Sequence, residues 1–157
     1  MHHKLSYLQY RTLIFAILGT AYILVFFHRL APAVVAVDMM ADLKTGGALM
    51  GILASAYFYP YALMQIPAGL LSDSWGPRRS IVFFFTIGAA GSIALALAHS
   101  VETAIAARVF VGLGVAMIFI PTLKILTHWF ERDRYVQMSG LLMSLGGVGA
   151  FTASTPL

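Results

Sequence analysis

The sequence predicts an all-α integral membrane protein with four complete transmembrane helices and a fifth that is cut short. Three observations predict it. Of the 157 residues, 60% are hydrophobic and only 10% are charged, where a soluble domain carries about 25% charged residues. The apolar residues come in runs of about 20, the length an α-helix needs to cross the hydrocarbon core of a bilayer. The basic residues gather in alternate loops between those runs.

The first expected span covers residues 12–37 and is interrupted by His28-Arg29 and Pro32. Lys4 and Arg11 precede it, as in a signal peptide. The apolar run is longer than a signal-peptide core and no small-residue cleavage site follows directly, so an uncleaved helix is expected. The next spans are expected at residues 48–71, 79–98 and 103–127. A fifth begins near Val136 and is still running at Leu157.

The loops give an orientation. With the N-terminus in the cytoplasm, Lys4, Arg11, Arg78, Arg79, Arg132 and Arg134 all fall inside and only Lys44 falls outside. The positive-inside rule selects that arrangement. Trp75 and Trp129 then both sit at the inner interface, where indole rings prefer to lie. Arg29, Arg108 and Lys124 fall within spans.

The same residues exclude other classes. The net charge of +4 is spread between apolar runs, with no basic patch interleaved with stacking aromatics, so no nucleic acid is expected. The chain has no cysteine and 5 histidines, without a spacing that would hold a metal. No glycine-rich phosphate cradle and no nucleophile–base set can be placed, so neither a cofactor nor an enzyme is expected. Gly51/Ser55, Gly112/Ala116 and Gly146/Ala150 are small-xxx-small pairs, which permit close helix approach in lipid.

The segment Gly69-Leu70-Leu71-Ser72-Asp73-Ser74-Trp75-Gly76-Pro77-Arg78-Arg79 joins spans two and three. Gly76 permits a tight turn at positive φ, and Pro77 suits the first turn of the next helix. Asp73 lies near the C-terminal end of span two, where the helix dipole disfavours an anion. It should therefore have a partner elsewhere, such as an arginine or another helix's N-terminus. At Gly69, Leu71, Asp73, Gly76 and Arg78 this segment resembles the loop signature of the major facilitator superfamily, G-x-L-x-D-R-x-G-R-[RK]. Ser74 and Pro77 stand where the pattern has basic residues. Arg108-Val109-Phe110-Val111-Gly112-Leu113-Gly114 is similar to the family's helix-four pattern R-x-x-x-G-x-G, and Trp129 to Arg134 to its cytoplasmic link between helices four and five. The resemblance implies a family-type helical bundle made of two six-helix halves, of which residues 1–157 would form part of the first. It also implies gating roles for Gly69, Asp73, Gly76 and Arg78, and a coupling role for Arg108.

Charged groups inside spans are costly and by default mark a pathway or a site. Tyr22, Phe26, Arg29 and Ala33 fall on one helical face of span one. The resemblance places that helix along a central cavity, so Arg29 is expected to bind an anionic group through its planar fork. His28, one step off that face, is a candidate for proton coupling. Span two presents Tyr57, Tyr61 and Gln65 at i, i+4 and i+8, a polar-tipped stripe suited to a water-filled cavity. Lys124 follows Pro121 near the inner end of span four and is expected to snorkel to the cytoplasm.

The expected function is transmembrane transport of a small solute, with a small organic anion the leading class. It would proceed by alternating access in the plasma (inner) membrane, as symport with a proton or sodium ion or down the solute's own gradient. The chain alone is expected to be inactive without the missing C-terminal half. The alternative is a non-transporting membrane scaffold or assembly subunit, which would form a stable oligomer and ignore solutes.

Overall fold

The computed structural model describes residues 7–154; Lys4, counted above among the inside basic residues, lies outside them. The described residues form eight helical segments and no strand: α1 (Tyr7–Val34), α2 (Ala36–Asp42), α3 (Gly47–Leu63), α4 (Gln65–Ser74), α5 (Pro77–Ala96), α6 (Val101–Ala116), α7 (Phe119–Trp129) and α8 (Arg132–Ser154). Four stretches are long and apolar enough to cross a membrane: α1, α5, α6 with α7, and α8. The pair α3 and α4 makes a fifth, bent by 44°. The helices follow one another in the order expected of the spans. The last helix already runs 23 residues at Ser154, a full crossing by length.

Prolines explain where the helices bend. An α-helical carbonyl is paired by the N–H four residues on, and proline has none. Pro67 thus leaves the carbonyl of Leu63 without its usual donor, and the bend falls at Met64, directly after it. Pro121 does the same to Met117, where α6 gives way to α7. Pro32 lies inside α1, which runs through the expected interruption at His28-Arg29 and ends only at Val34. Helix starts follow local chemistry as well. Gly76 adopts φ 87° with Pro77 at the first turn of α5, as the loop sequence requires. Ser100 and Thr103 cap α6 reciprocally, each side chain accepting from the other's backbone N–H at 3.3 Å.

Several hydroxyls on the spans bond back within their own helix, as Thr20 does to the Ala16 carbonyl at 2.9 Å and Thr86 to that of Val82 at 2.8 Å. In lipid no water would serve them.

Glycines set the seams. A methyl group at Gly112 would collide with the backbone of Tyr57 in α3, and one at Gly91 would lie 2.8 Å from the Val111 nitrogen. Gly88 and Gly114 face each other backbone to backbone across α5 and α6. Gly146 and Gly149 receive α1, at Phe26 and Ile23 respectively. The pairs begun by Gly112 and Gly146 therefore lie in helix seams. The expected pair at Gly51 does not: nothing lies within 4 Å of a methyl group placed there, because that face of α3 points away from the bundle. The resulting architecture sets α6 between α3 and α5, with α1 against α8.

Candidate functional site

The core of the bundle is built from Tyr22 and Val25 of α1, Tyr57 of α3, Val111 and Val115 of α6, and Leu142 of α8. Two arginines lie beside it. Arg29, partly buried, faces three aromatic rings, with its guanidinium carbon 5.7 Å from the ring centre of Phe26, 5.2 Å from Phe58 and 5.4 Å from Tyr61. Such contacts are worth about 0.5–2 kcal/mol each, more as water is excluded. Arg108 is only 1% exposed and lies 4.7 Å from the centre of the Tyr57 ring. The rings of Tyr57 and Tyr61 are themselves stacked, 6.0 Å apart and within 11° of parallel. Guanidinium, two phenol rings and guanidinium thus form one continuous stack from α1 through α3 to α6.

The sequence-derived candidates are largely brought together. Tyr22 joins the stack's surroundings, its ring 5.2 Å from Phe26 and 5.8 Å from Phe119 of α7. Gln65 lies past the bend, and its amide nitrogen donates back to the Tyr61 carbonyl at 3.1 Å. That occupies one donor of the side chain, so the polar stripe of α3 and α4 is satisfied in part by its own backbone. His28 points the other way from Arg29, toward α5, with Nε2 3.5 Å from the Ser92 hydroxyl.

No carboxylate pairs with Arg29 or Arg108 among the described residues. Arg108 instead donates from Nη1 to the backbone carbonyl of His28 at 2.9 Å. Its Nε and the Tyr57 hydroxyl are buried without a hydrogen-bond partner among the described residues. Unpaired polar groups this deep are costly, and at functional sites they commonly await a ligand or water.

The loop signature forms a separate cluster at the end of the bundle that also holds Arg11, Trp75 and Trp129. There Arg11 covers the Phe130 ring at 5.1 Å. Asp73 lies in the last turn of α4, at the C-terminal end of span two as expected, and its partner is neither an arginine nor a helix N-terminus. It pairs with Lys124 of α7, which also donates to the Ser72 carbonyl at 3.3 Å. The lysine expected to snorkel thus also has a fixed partner: a side chain from 51 residues away in sequence fills the role sought for an arginine. Ser74, in the place of the signature arginine, is satisfied locally by the Leu70 carbonyl at 2.9 Å. Arg78 is exposed at the start of α5, and Gly69 has open space around it.

Phe58, Ser92 and Lys124 were not singled out as site residues. Phe58 follows Tyr57 directly and was open to inspection as an aromatic neighbour. For Ser92 and Lys124 no local signal exists, since their contacts depend on which helices pack together.

Comparison with known proteins identifies the family. A probable sulfoacetate transporter of Cupriavidus necator is 25% identical over 146 residues, covering 93% of this chain and 34% of that protein. The drug efflux pump JefA of Mycobacterium tuberculosis is 35% identical over 100 residues, covering 63% of the chain and 20% of the pump. A probable anion transporter 7 of Oryza sativa is 32% identical over 104 residues, covering 63% and 24%. The chain spans about a third or less of the length of these relatives. The family model for the Major Facilitator Superfamily matches residues 13–156, nearly the whole chain, and with the helical bundle and the turn at Gly76 it establishes that this chain belongs to the Major Facilitator Superfamily.

Proposed function

We propose that this chain supplies the N-terminal part of a secondary transporter that moves a small organic anion by alternating access. The N-terminus lies in the cytoplasm, and the protein resides in the plasma (inner) membrane. The observation that carries the anion reading is Arg29. Its guanidinium stands among Phe26, Phe58 and Tyr61 with no carboxylate to neutralise it among the described residues. A charge in the membrane interior costs at least about 2.5 kcal/mol on the mildest scale, and an anionic substrate offsets that cost while bound. Two of the relatives reported above are named for anionic solutes and one for drug efflux, so the family alone does not choose between them. The unneutralised charge of Arg29 is what supports the anion reading.

In this reading Tyr22, Tyr57, Tyr61 and Gln65 line the substrate's side of the site. Arg108 and His28 take part in coupling to a proton or sodium gradient, and Asp73 with Arg78, Gly69 and Gly76 works the inner gate. The test uses the protein from its complete reading frame, purified in detergent. Sulfoacetate and a lipophilic cation such as ethidium are titrated separately by calorimetry. Saturable heat with sulfoacetate that vanishes in Arg29→Ala is the expected result. Binding of ethidium but not of the anion, or sulfoacetate binding that survives in Arg29→Ala, would overturn the anion assignment.

A further inference from the structure

The carbonyl that holds Arg108 is not an arbitrary one. In an unbroken helix the oxygen of His28 would accept from the N–H of residue 32. Residue 32 is proline, which has no N–H. The single α1 carbonyl that Pro32 deprives of its helical donor is the one to which Arg108 donates, across 80 residues of sequence, at 2.9 Å.

We propose that Pro32 is a positioning residue for Arg108: by leaving the His28 oxygen short of a donor it creates the acceptor that ties α6 to α1 beside the arginine stack. The consequence for the anion site rests on the function proposed above. A carbonyl holds the guanidinium in place without neutralising it, whereas a carboxylate would cancel its charge. Arg108 therefore remains a second full positive charge behind Tyr57, fixed in direction by a bond that a stronger, anionic acceptor can replace. A hydrogen bond from a charged donor to a neutral carbonyl is weaker than one to a carboxylate, which makes the exchange favourable once an anion reaches it.

The test requires no anion, so its failure is separable from failure of the transport reading. The unfolding equilibrium in mixed micelles is measured for the protein from its complete reading frame, unaltered and as Pro32→Ala, Arg108→Met and the double variant. Alanine restores an N–H at position 32, which competes for the His28 oxygen. With Arg108 present, what the helix gains the arginine loses, and Pro32→Ala should change the equilibrium constant little. With methionine at 108 the restored helical bond has no competitor, and the same substitution should stabilise. The two factors should differ by on the order of tenfold to a hundredfold, the range for a hydrogen bond to a charged group. Pro67→Ala, at a proline far from Arg108, should show no such dependence on residue 108.

A carbonyl has two lone pairs and can accept twice. If the His28 oxygen does so, Pro32→Ala will change the equilibrium by the same factor in both backgrounds, and the proposal is wrong. If Pro32→Ala proves too poorly folded to measure, a second reading decides. With histidine carbonyls carbon-13 labelled, Arg108→Met in the Pro32 protein should shift one carbonyl band to higher frequency. An unshifted spectrum also overturns the proposal.

Discussion

Gly112→Ala tests the seam on which the arginine stack depends. The added methyl group would meet the Tyr57 carbonyl oxygen, with the Tyr57 carbonyl carbon at 3.1 Å and Pro60 Cγ at 3.0 Å. Two of those three atoms are backbone, so no side-chain rotation relieves the clash and α3 must move away from α6. Overpacking of this kind costs about 1–3 kcal/mol. Alanine also has a better helix propensity than glycine by about 1 kcal/mol, which partly hides the loss. Gly51→Ala on the same helix pair's outer face separates the two effects, because nothing lies within 4 Å of its methyl group. It takes the propensity gain and no clash. The difference between the two variants then isolates the packing cost, and should be about 1–3 kcal/mol with Gly112→Ala the less stable. Reversible denaturation in mixed micelles, followed by helical circular dichroism, measures both. Because Tyr57 carries the Arg108 contact, Gly112→Ala should in addition weaken anion binding by the complete protein, and Gly51→Ala should not. Equal stability changes in the two variants would refute the close approach of α3 and α6 at Gly112.

Other outcomes follow from the same contacts. Arg29→Lys keeps the charge but loses the planar fork, so in the complete protein it should lower sulfoacetate affinity strongly and Arg29→Ala should lower it further, both still inserting in the membrane; titration calorimetry checks this. Asp73→Asn and Lys124→Met should each cut transport in a liposome uptake assay, and the double variant should be no worse than either, since both break one ion pair. Stability should fall by less than about 1 kcal/mol in each, because the side chains are 71% and 33% exposed; additive losses of transport would mean the two residues act apart. For orientation, single cysteines at Lys44, Ser74 and Asp133 in this cysteine-free chain should show labelling of 44 alone by an impermeant reagent in intact cells.

The helices and their order were legible because each span carries its own signal in length and polarity. The turn at Gly76 was legible because positive φ and a first-turn proline are local demands, answered by the residues at hand. The tyrosine stripe of α3 and the Arg29 face of α1 were legible from helical periodicity. What failed depended on partners. Asp73 needed a cation, and nothing in residues 69–79 says that α7 delivers Lys124. Gly51 and Gly112 look alike as glycines four residues before a small residue, yet one faces outward and the other meets Tyr57, because the repeat gives the spacing of a stripe and not its direction. Periodicity puts Gln65 on the tyrosine stripe, but it does not tell that one of its amide donors returns to the Tyr61 carbonyl.

Two packing groups meet at the arginine stack. Glycine seams lock α3 and α5 onto α6, and another glycine pair locks α1 onto α8. Between these groups, near the site, the joining contacts are of a different kind: the Arg29 guanidinium over Phe58 and Tyr61 and the Arg108 bond to the His28 oxygen. Backbone-to-backbone seams are short and rigid, since neither side can yield. A cation over a ring, or a guanidinium on a single carbonyl, is softer and can be remade at another distance for about 1–3 kcal/mol. Among the described residues, Arg29 and Arg108, the two arginines within the spans, thus stand without a carboxylate at a junction joined by these softer contacts. If the proposed function is right, a substrate anion placed there would act on the relation between α1 and α6 without having to open either glycine seam.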